Sequence, residues 1–350
     1  MTSSSSLFAA PEPQPAPANP PAQKGETHTI PVSVVMAVFN GRAFISAAIR
    51  SVSQQRARPV EIIVVDDGSA DGSADLAEDL GARVIRQPRL GVCRARNTGI
   101  RAASSPWIAL LDHDDEWLPD KLERQWTALE RYPNAVMVTT DIAKIDAEGR
   151  PLLDSFLHEG GRMYDRMQAT SREDGIDCFA HPEGDIHKAG WFLLPSAVLA
   201  RRDVLLDVGM FDERIALNED VSCFLRVLKR GALLVVDEPL TRWRIHASNM
   251  HRQELAILRG RLALTRVAMQ EPERYPRGYV DRLTAELPGL QVRIGRAELS
   301  AGSPRAARAS LAAATHDGAG SRAMALWLAT WIVGKNADRA AAVWRRCRGR

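Results

Sequence analysis

The sequence predicts an α/β protein: a mainly parallel sheet flanked by helices, with an α-helical C-terminal region. Three observations carry that prediction. From Ile30 to Thr140, β-branched apolar runs alternate with segments of helical period, as βαβ units do. The runs are apolar at nearly every position, the mark of strands covered on both faces. Beyond Glu254 strand-like runs cease, and Ala and Arg recur at helical spacing.

The elements follow in order. Residues 1–29 carry Pro11, Pro13, Pro15, Pro17, Pro20 and Pro21 and cannot bury enough surface to offset their ordering entropy. A disordered, partly extended tail is expected. It has no basic n-region, and Leu7 to Ala10 falls short of the roughly 7–15 apolar residues of a signal-peptide core. "IPVSVVMAVFN" (30–40) reads as the first strand, after which Phe44, Ile45, Ala48, Ile49 and Val52 recur at helical spacing. "VEIIVV" (60–65) is the second strand, and "DDGSADGSAD" turns into a short helix that ends before Gly81. "ARVIRQ" is a third short strand, Gly91 to Ala103 a helix, and "WIALL" (107–111) the fourth strand. Pro119 suits the first turn of a helix reaching about Arg131, and "AVMVTT" (135–140) is the fifth strand. Residues 141–190 are less regular, with "DAEGRP" as a turn between strands. Asn218 can cap a helix whose apolar face is Val221, Phe224, Leu225 and Leu228. "ALLVVDEP" and "TRWRIH" read as two short strands.

The expected domains are a tail (1–29), an α/β domain (30–253) and a basic helical region (254–350). From residue 255 on, 17 Lys plus Arg stand against 7 acids, while the whole chain is near balance at +3. That balance gives no footing for nucleic acid. Ala323 to Val333 is an apolar run about half the ~20 residues needed to span a bilayer, so it is expected as a buried helix. Cys93, Cys178, Cys223 and Cys347 form no C-x-x-C pair and read as reduced, mostly buried thiols of a cytoplasmic protein.

Open α/β sheets bind ligands at the carboxyl ends of their strands, and the polar clusters fall there. "LLDHDDEW" follows the fourth strand. The alternate carboxylates Asp112 and Asp114 repel unless a cation sits between them, and hard divalent ions favour such oxygen ligands. The ordinary alternative is a solvated acidic turn, with Asp115 and Glu116 favouring the next helix N-terminus. "VVDDGS" ends the second strand in a tight turn whose Asp could take a base's imide proton, or simply cap the turn. In "GVCRARNTGI" Arg94 and Arg96 could reach a diphosphate, or lie on a solvated helix face. In "NED" (218–220) a carboxylate could take a proton from an acceptor hydroxyl, or cap the helix.

Together, "VSVVMAVFNG", "VVDDGS", "GVCRARNTGI", "WIALLDHDDEW", "GMFDERIALNEDVSCFLRVLKRG" and "RWRIHASNM" resemble the inverting glycosyltransferases of family two. Their fold is GT-A, the nucleotide-diphospho-sugar transferase fold. The resemblance spans about residues 30–250. It implies that the Val38-Phe39-Asn40 strand end cradles the nucleotide base. Asp67 would hydrogen-bond the base, with Asp66 supporting the turn. Asp112 and Asp114 would bridge the ribose and a diphosphate bound to Mn²⁺ or Mg²⁺, with His113 among the nucleotide contacts. Asp220 would be the general base, with Glu219 beside it, and His246 a candidate further contact to metal or phosphate. His113 departs from the family pattern, in which a small residue is common, and Trp243 fills the aromatic place before Arg-x-His.

The implied reaction moves a sugar from a nucleoside diphosphate sugar, UDP by family default, to an acceptor hydroxyl on a glycan, lipid-linked sugar or polysaccharide. Two rivals stay open. A sugar-phosphate nucleotidyltransferase would carry a Gly- and Arg-rich phosphate loop, of which "VFNGRAF" is a poor version. A non-catalytic nucleotide-sugar-binding protein would have lost the acids. Trp327, Trp331 and Trp344 with nearby arginines point to peripheral contact with the anionic inner face of the cell membrane; a packed helical cap or dimer surface is the alternative.

Overall fold

A computed structural model describes residues 28–159, 163–186, 192–247, 249 and 254–333. Most of the expected tail, Trp344 and Cys347 lie outside the described residues. The first strand starts at His28, two residues earlier than expected, because His28 and Thr29 already pair with Ala57 and Arg58.

Strands β1 (His28–Val38), β2 (Ala57–Asp66), β3 (Arg83–Arg86) and β4 (Trp107–Leu110) pair in parallel in the order β3-β2-β1-β4. Between them run helices α1 (Ile45–Ser53), α2 (Ser73–Asp79) and α3 (Val92–Ala102). Beyond β4 the order is β10 (Leu199–Arg201), β6 (Ala135–Asp146) and β11 (Ala232–Ile245). β10 is antiparallel to both neighbours, while β6 and β11 are parallel. Short antiparallel strands complete the rim: β5 (Glu116–Trp117) on β11, β7 (Pro151–Leu153) on β6, and β9 (Ile176–Phe179) then β8 (Ser171–Glu173) beyond β11.

Alternate residues of each strand feed opposite faces of the core. Val34, Met36 and Val64 pack with Ile45, Ile49 and Leu122, the last from α4 (Lys121–Arg131). Val35, Ile63 and Val65 pack with Ile100 and with Phe224 and Leu225 of α6 (Glu219–Leu228). α5 (Arg202–Asp207) leads from β10 toward that helix. Cys93, Cys178 and Cys223 are buried free thiols.

Three expectations change. β6 does not stop at Thr140 but continues to Asp146, because β11 extends alongside it. β11 is one strand rather than two: Pro239 has no N–H to donate, so the register shifts on both sides of it and pairing then resumes. Pro119 precedes α4 instead of sitting in its first turn, since the helix starts at Lys121.

The C-terminal helices are α7 (Glu254–Gln270), α8 (Arg277–Ser300), α9 (Pro304–His316) and α10 (Gly320–Val333). Leu264, Val267, Tyr275, Val280 and Leu283 join the same core as Phe224. α7 sits close enough that a Cβ on Gly260 would lie 2.4 Å from the Leu217 carbonyl oxygen, so glycine permits the approach. α10 is not buried all round as expected: Ala323 and Thr330 are buried, but Met324 and Leu328 are exposed. No helix among the described residues is long and apolar enough to cross a membrane.

Candidate active site

After β4 the acidic run turns and meets its partners one by one. Asp112 Oδ1 accepts a bond from Arg96 Nη2 at 2.6 Å. Asp114 Oδ2 lies 2.9 Å from His246 Nε2 and accepts from Asn249 Nδ2 at 3.3 Å. Asp115 is buried and accepts from the Ser196 hydroxyl at 2.5 Å and from the Arg244 N–H at 2.9 Å. Glu116 pairs with the Arg244 guanidinium. The remaining Arg244 donors reach the carbonyls of Asp114 (3.0 Å), Asp146 (3.1 Å) and Ala147 (3.0 Å). The acidic turn therefore does not cap a helix. Burial, with Asp114 and Asp112 alongside, pushes the Asp115 carboxyl well above the usual carboxylate range.

Arg96, expected on a diphosphate, is turned here to two carboxylates. It is 4% exposed, and its two terminal nitrogens bond Asp112 at 2.6 Å and Glu219 Oε1 at 2.7 Å. Burial opposes its charge, but these two carboxylates outweigh burial and raise its pKa. A buried cation needs such partners. One guanidinium thereby joins the end of β4 to the start of α6, 123 residues apart in sequence from Arg96 to Glu219.

α6 begins with Glu219 and Asp220 in its first turn. Asn218 precedes it with φ +67° and makes no side-chain cap bond; its amide instead donates to the Ile257 carbonyl at 3.5 Å. The side-chain cap expected from sequence is therefore not formed. Among the described residues Asp220 accepts only a local bond, from the Val221 N–H at 2.8 Å. Burial and the neighbouring Glu219 push its carboxyl up to about 7.

At the nucleotide end the polar side chains bond within the chain. Val38 is buried in the core, and its carbonyl accepts the Asp67 N–H at 2.8 Å. Asn40, at φ +50°, accepts the Ala70 N–H on its side chain at 2.9 Å. Of the three, Phe39 alone offers a half-buried ring. Asp66 accepts the Ser69 N–H at 3.2 Å. Asp67 accepts from Gln87 Nε2, Leu90 N–H and Gly91 N–H at 2.7–2.8 Å, so it holds the 87–91 loop. His113 packs onto Gly41, where a Cβ would lie 2.3 Å from the imidazole Cδ2.

Carboxylate oxygen suits Mg²⁺ and Mn²⁺, while imidazole can ligate a transition metal, and Asp114 and His246 already meet. Asp112 does not join them, being turned to Arg96. Among the described residues no group of three or more His, Cys, Asp or Glu forms a set that could hold a metal ion. Sequence reasoning missed Ser196, Asn249 and Arg89; Arg244 carried a signal in its Arg-x-His setting. The Arg89 guanidinium lies 4.0 Å from the Phe39 ring centroid, and "RQPRLG" holds no hint of it.

Residues 33–182 match the model of the family described as glycosyl transferase family 2. An uncharacterized glycosyltransferase of Rickettsia prowazekii is 25% identical over 260 residues, 73% of each chain. An uncharacterized glycosyltransferase of Nostoc is 26% identical over 72% of this chain and 76% of its own. The putative teichuronic acid biosynthesis glycosyltransferase TuaG of Bacillus subtilis is 34% identical over 36% of this chain and 52% of its own. Among solved structures, S. aureus TarS 1–349 superposes with a TM-score of 0.54 at 14% identity, over 87% of this chain and 91% of that one. Its complex with UDP-GlcNAc gives 0.56 at 14%, over 87% and 92%. At that identity the likeness is one of fold, and the fold is GT-A.

Proposed function

Residues 33–182 resemble glycosyl transferase family 2, and from that premise we propose an inverting, metal-dependent sugar transfer from a nucleoside diphosphate sugar. The observation that carries the proposal is the Arg96 bridge. It brings Asp112 at the donor side to Glu219 and thus to the neighbouring Asp220. Asp220, with its carboxyl near 7, takes the proton of the acceptor hydroxyl. The acceptor oxygen forms its bond to the anomeric carbon as the bond to the diphosphate breaks. The nucleoside diphosphate leaves with the electron pair, and the configuration inverts. Base catalysis of this kind is worth about 10²–10⁴-fold.

Phe39 and the Asp66-Asp67 turn seat the base, His113 and Asp112 border the ribose, and Glu219 is spent on Arg96. Asp114 and His246 would hold Mn²⁺ or Mg²⁺, whose chemistry when bound is to neutralise charge on the departing diphosphate. The proposed acceptor is a glycan, lipid-linked sugar or polysaccharide. The basic helices and the exposed Met324 and Leu328 of α10 support a peripheral contact with the anionic inner face of the cell membrane.

The test is a donor screen with UDP-GlcNAc first, since a fold relative was crystallised with it, followed by other UDP-, GDP- and dTDP-sugars. Thermal shift reads binding, and product analysis reads chemistry. Expected are Mn²⁺-dependent binding, release of a nucleoside diphosphate and an inverted anomeric configuration. Release of pyrophosphate would decide for a nucleotidyltransferase, and a retained configuration would remove the single displacement.

A further inference from the structure

At the strand end expected to cradle the base, one face of the Phe39 ring is already covered. Arg89 stacks on the ring at 4.0 Å from its centroid, a single layer, so no base fits between the two as they stand. Arg89 is exposed, yet its backbone is fixed. Asp67 holds the loop through Gln87, Leu90 and Gly91. Gln87 Oε1 in turn accepts the Thr98 hydroxyl at 3.0 Å. On the other flank Gly68, at φ +81°, lets the loop close in: a Cβ there would lie 3.0 Å from the Arg89 amide nitrogen. The backbone is pinned and the long side chain above it is free to lift.

Resting on the reading above, we propose that Arg89 is a clamp for the donor base. It covers the Phe39 ring when the seat is empty. When donor binds, it rises by one layer, about 3.5 Å, and stacks on the outer face of the base, which Phe39 holds from within. Opening exchanges one cation–π contact for another, so little is lost, and the base gains a partner on each face. Asp67 acts in this arrangement as a positioning residue: it fixes the height of the loop that carries the clamp.

The experiment compares UDP with 5,6-dihydrouridine diphosphate, which keeps the ribose and both phosphates but lacks a flat aromatic base. Calorimetry is run on the full chain, on Arg89→Ala and on Arg89→Gln, with Mn²⁺ present. The wild type is expected to prefer UDP. Both variants should bind UDP about 3- to 30-fold more weakly and bind the dihydro compound almost as the wild type does. UDP binding unchanged or tightened in the variants overturns the clamp. So does an equal loss for both compounds, which would place Arg89 on the diphosphate. A wild type that binds none of UDP, GDP and dTDP overturns the donor reading and the clamp with it.

Discussion

Asp220 shows how a single residue acquires its chemistry from its surroundings. Burial and Glu219 push its carboxyl to about 7, where a general base best balances availability against proton affinity. Asp220→Asn is expected to lower turnover on the order of a hundredfold or more while leaving UDP binding nearly intact. In the wild type the acid limb of the activity profile should centre near pH 7. Stability carries the matching sign. Between the unfolded value and about 7 the folded state holds a proton that the unfolded chain has lost, so stability falls as pH rises through that window. Asp220→Asn should therefore melt higher than wild type at pH 8 and converge with it near pH 4; the reverse order would remove the buried-base account. The acids at this candidate site stood out in the sequence because open α/β sheets bind ligands at the carboxyl ends of their strands. Their partners were not: Arg96 and Asn249 stand 16 and 135 residues from the acids they bind, and nothing local announces the meeting.

Arg244 does at the level of an element what Arg96 does between two. It sits on β11, is 4% exposed, and ties the acidic turn to the β6–β7 turn through Glu116, Asp114, Asp146 and Ala147. The next residue but one, His246, then faces Asp114 and stacks on Phe44 at 4.7 Å between ring centroids. Arg244→Met strands Glu116 and three carbonyls, and breaking a partly buried pair of this kind costs about 3–5 kcal/mol. Urea denaturation should show that loss. Arg242→Met, which removes an exposed guanidinium 3.8 Å from the same Glu116, should cost under about 1 kcal/mol. Equal losses would mean that the turn does not depend on the Arg244 knot. The parallel strands and their helices could be read from hydrophobic period alone. β5 and β10 could not, because two and three residues are too few to display a period. β11 was read as two pieces because proline marks a break in any local rule, whereas the pairing strand β6 continues past it.

At the scale of the whole molecule, the basic C-terminal helices have two different attachments. α7 and the start of α8 share the core with α6, and the Tyr275 and Ser222 hydroxyls lie 2.8 Å apart, tying that segment to the helix that carries Asp220. α10 by contrast packs on α9, with Ala323 buried, and presents Met324 and Leu328, one helical turn apart, to solvent. An apolar stripe beside a surplus of arginines is the composition of a membrane-surface contact. Removal of residues 320–350 should then abolish co-sedimentation with vesicles rich in anionic lipid while leaving transfer to a water-soluble acceptor within about twofold, since α6 and its braces are untouched. Binding by the full chain should also weaken as salt rises past about 0.15 M, where the Debye length falls to about 8 Å. If the shortened chain sediments as well as the full one, the membrane contact does not lie on α10 or beyond it. If the full chain shows no preference for anionic over neutral vesicles, the arginine surplus serves packing alone.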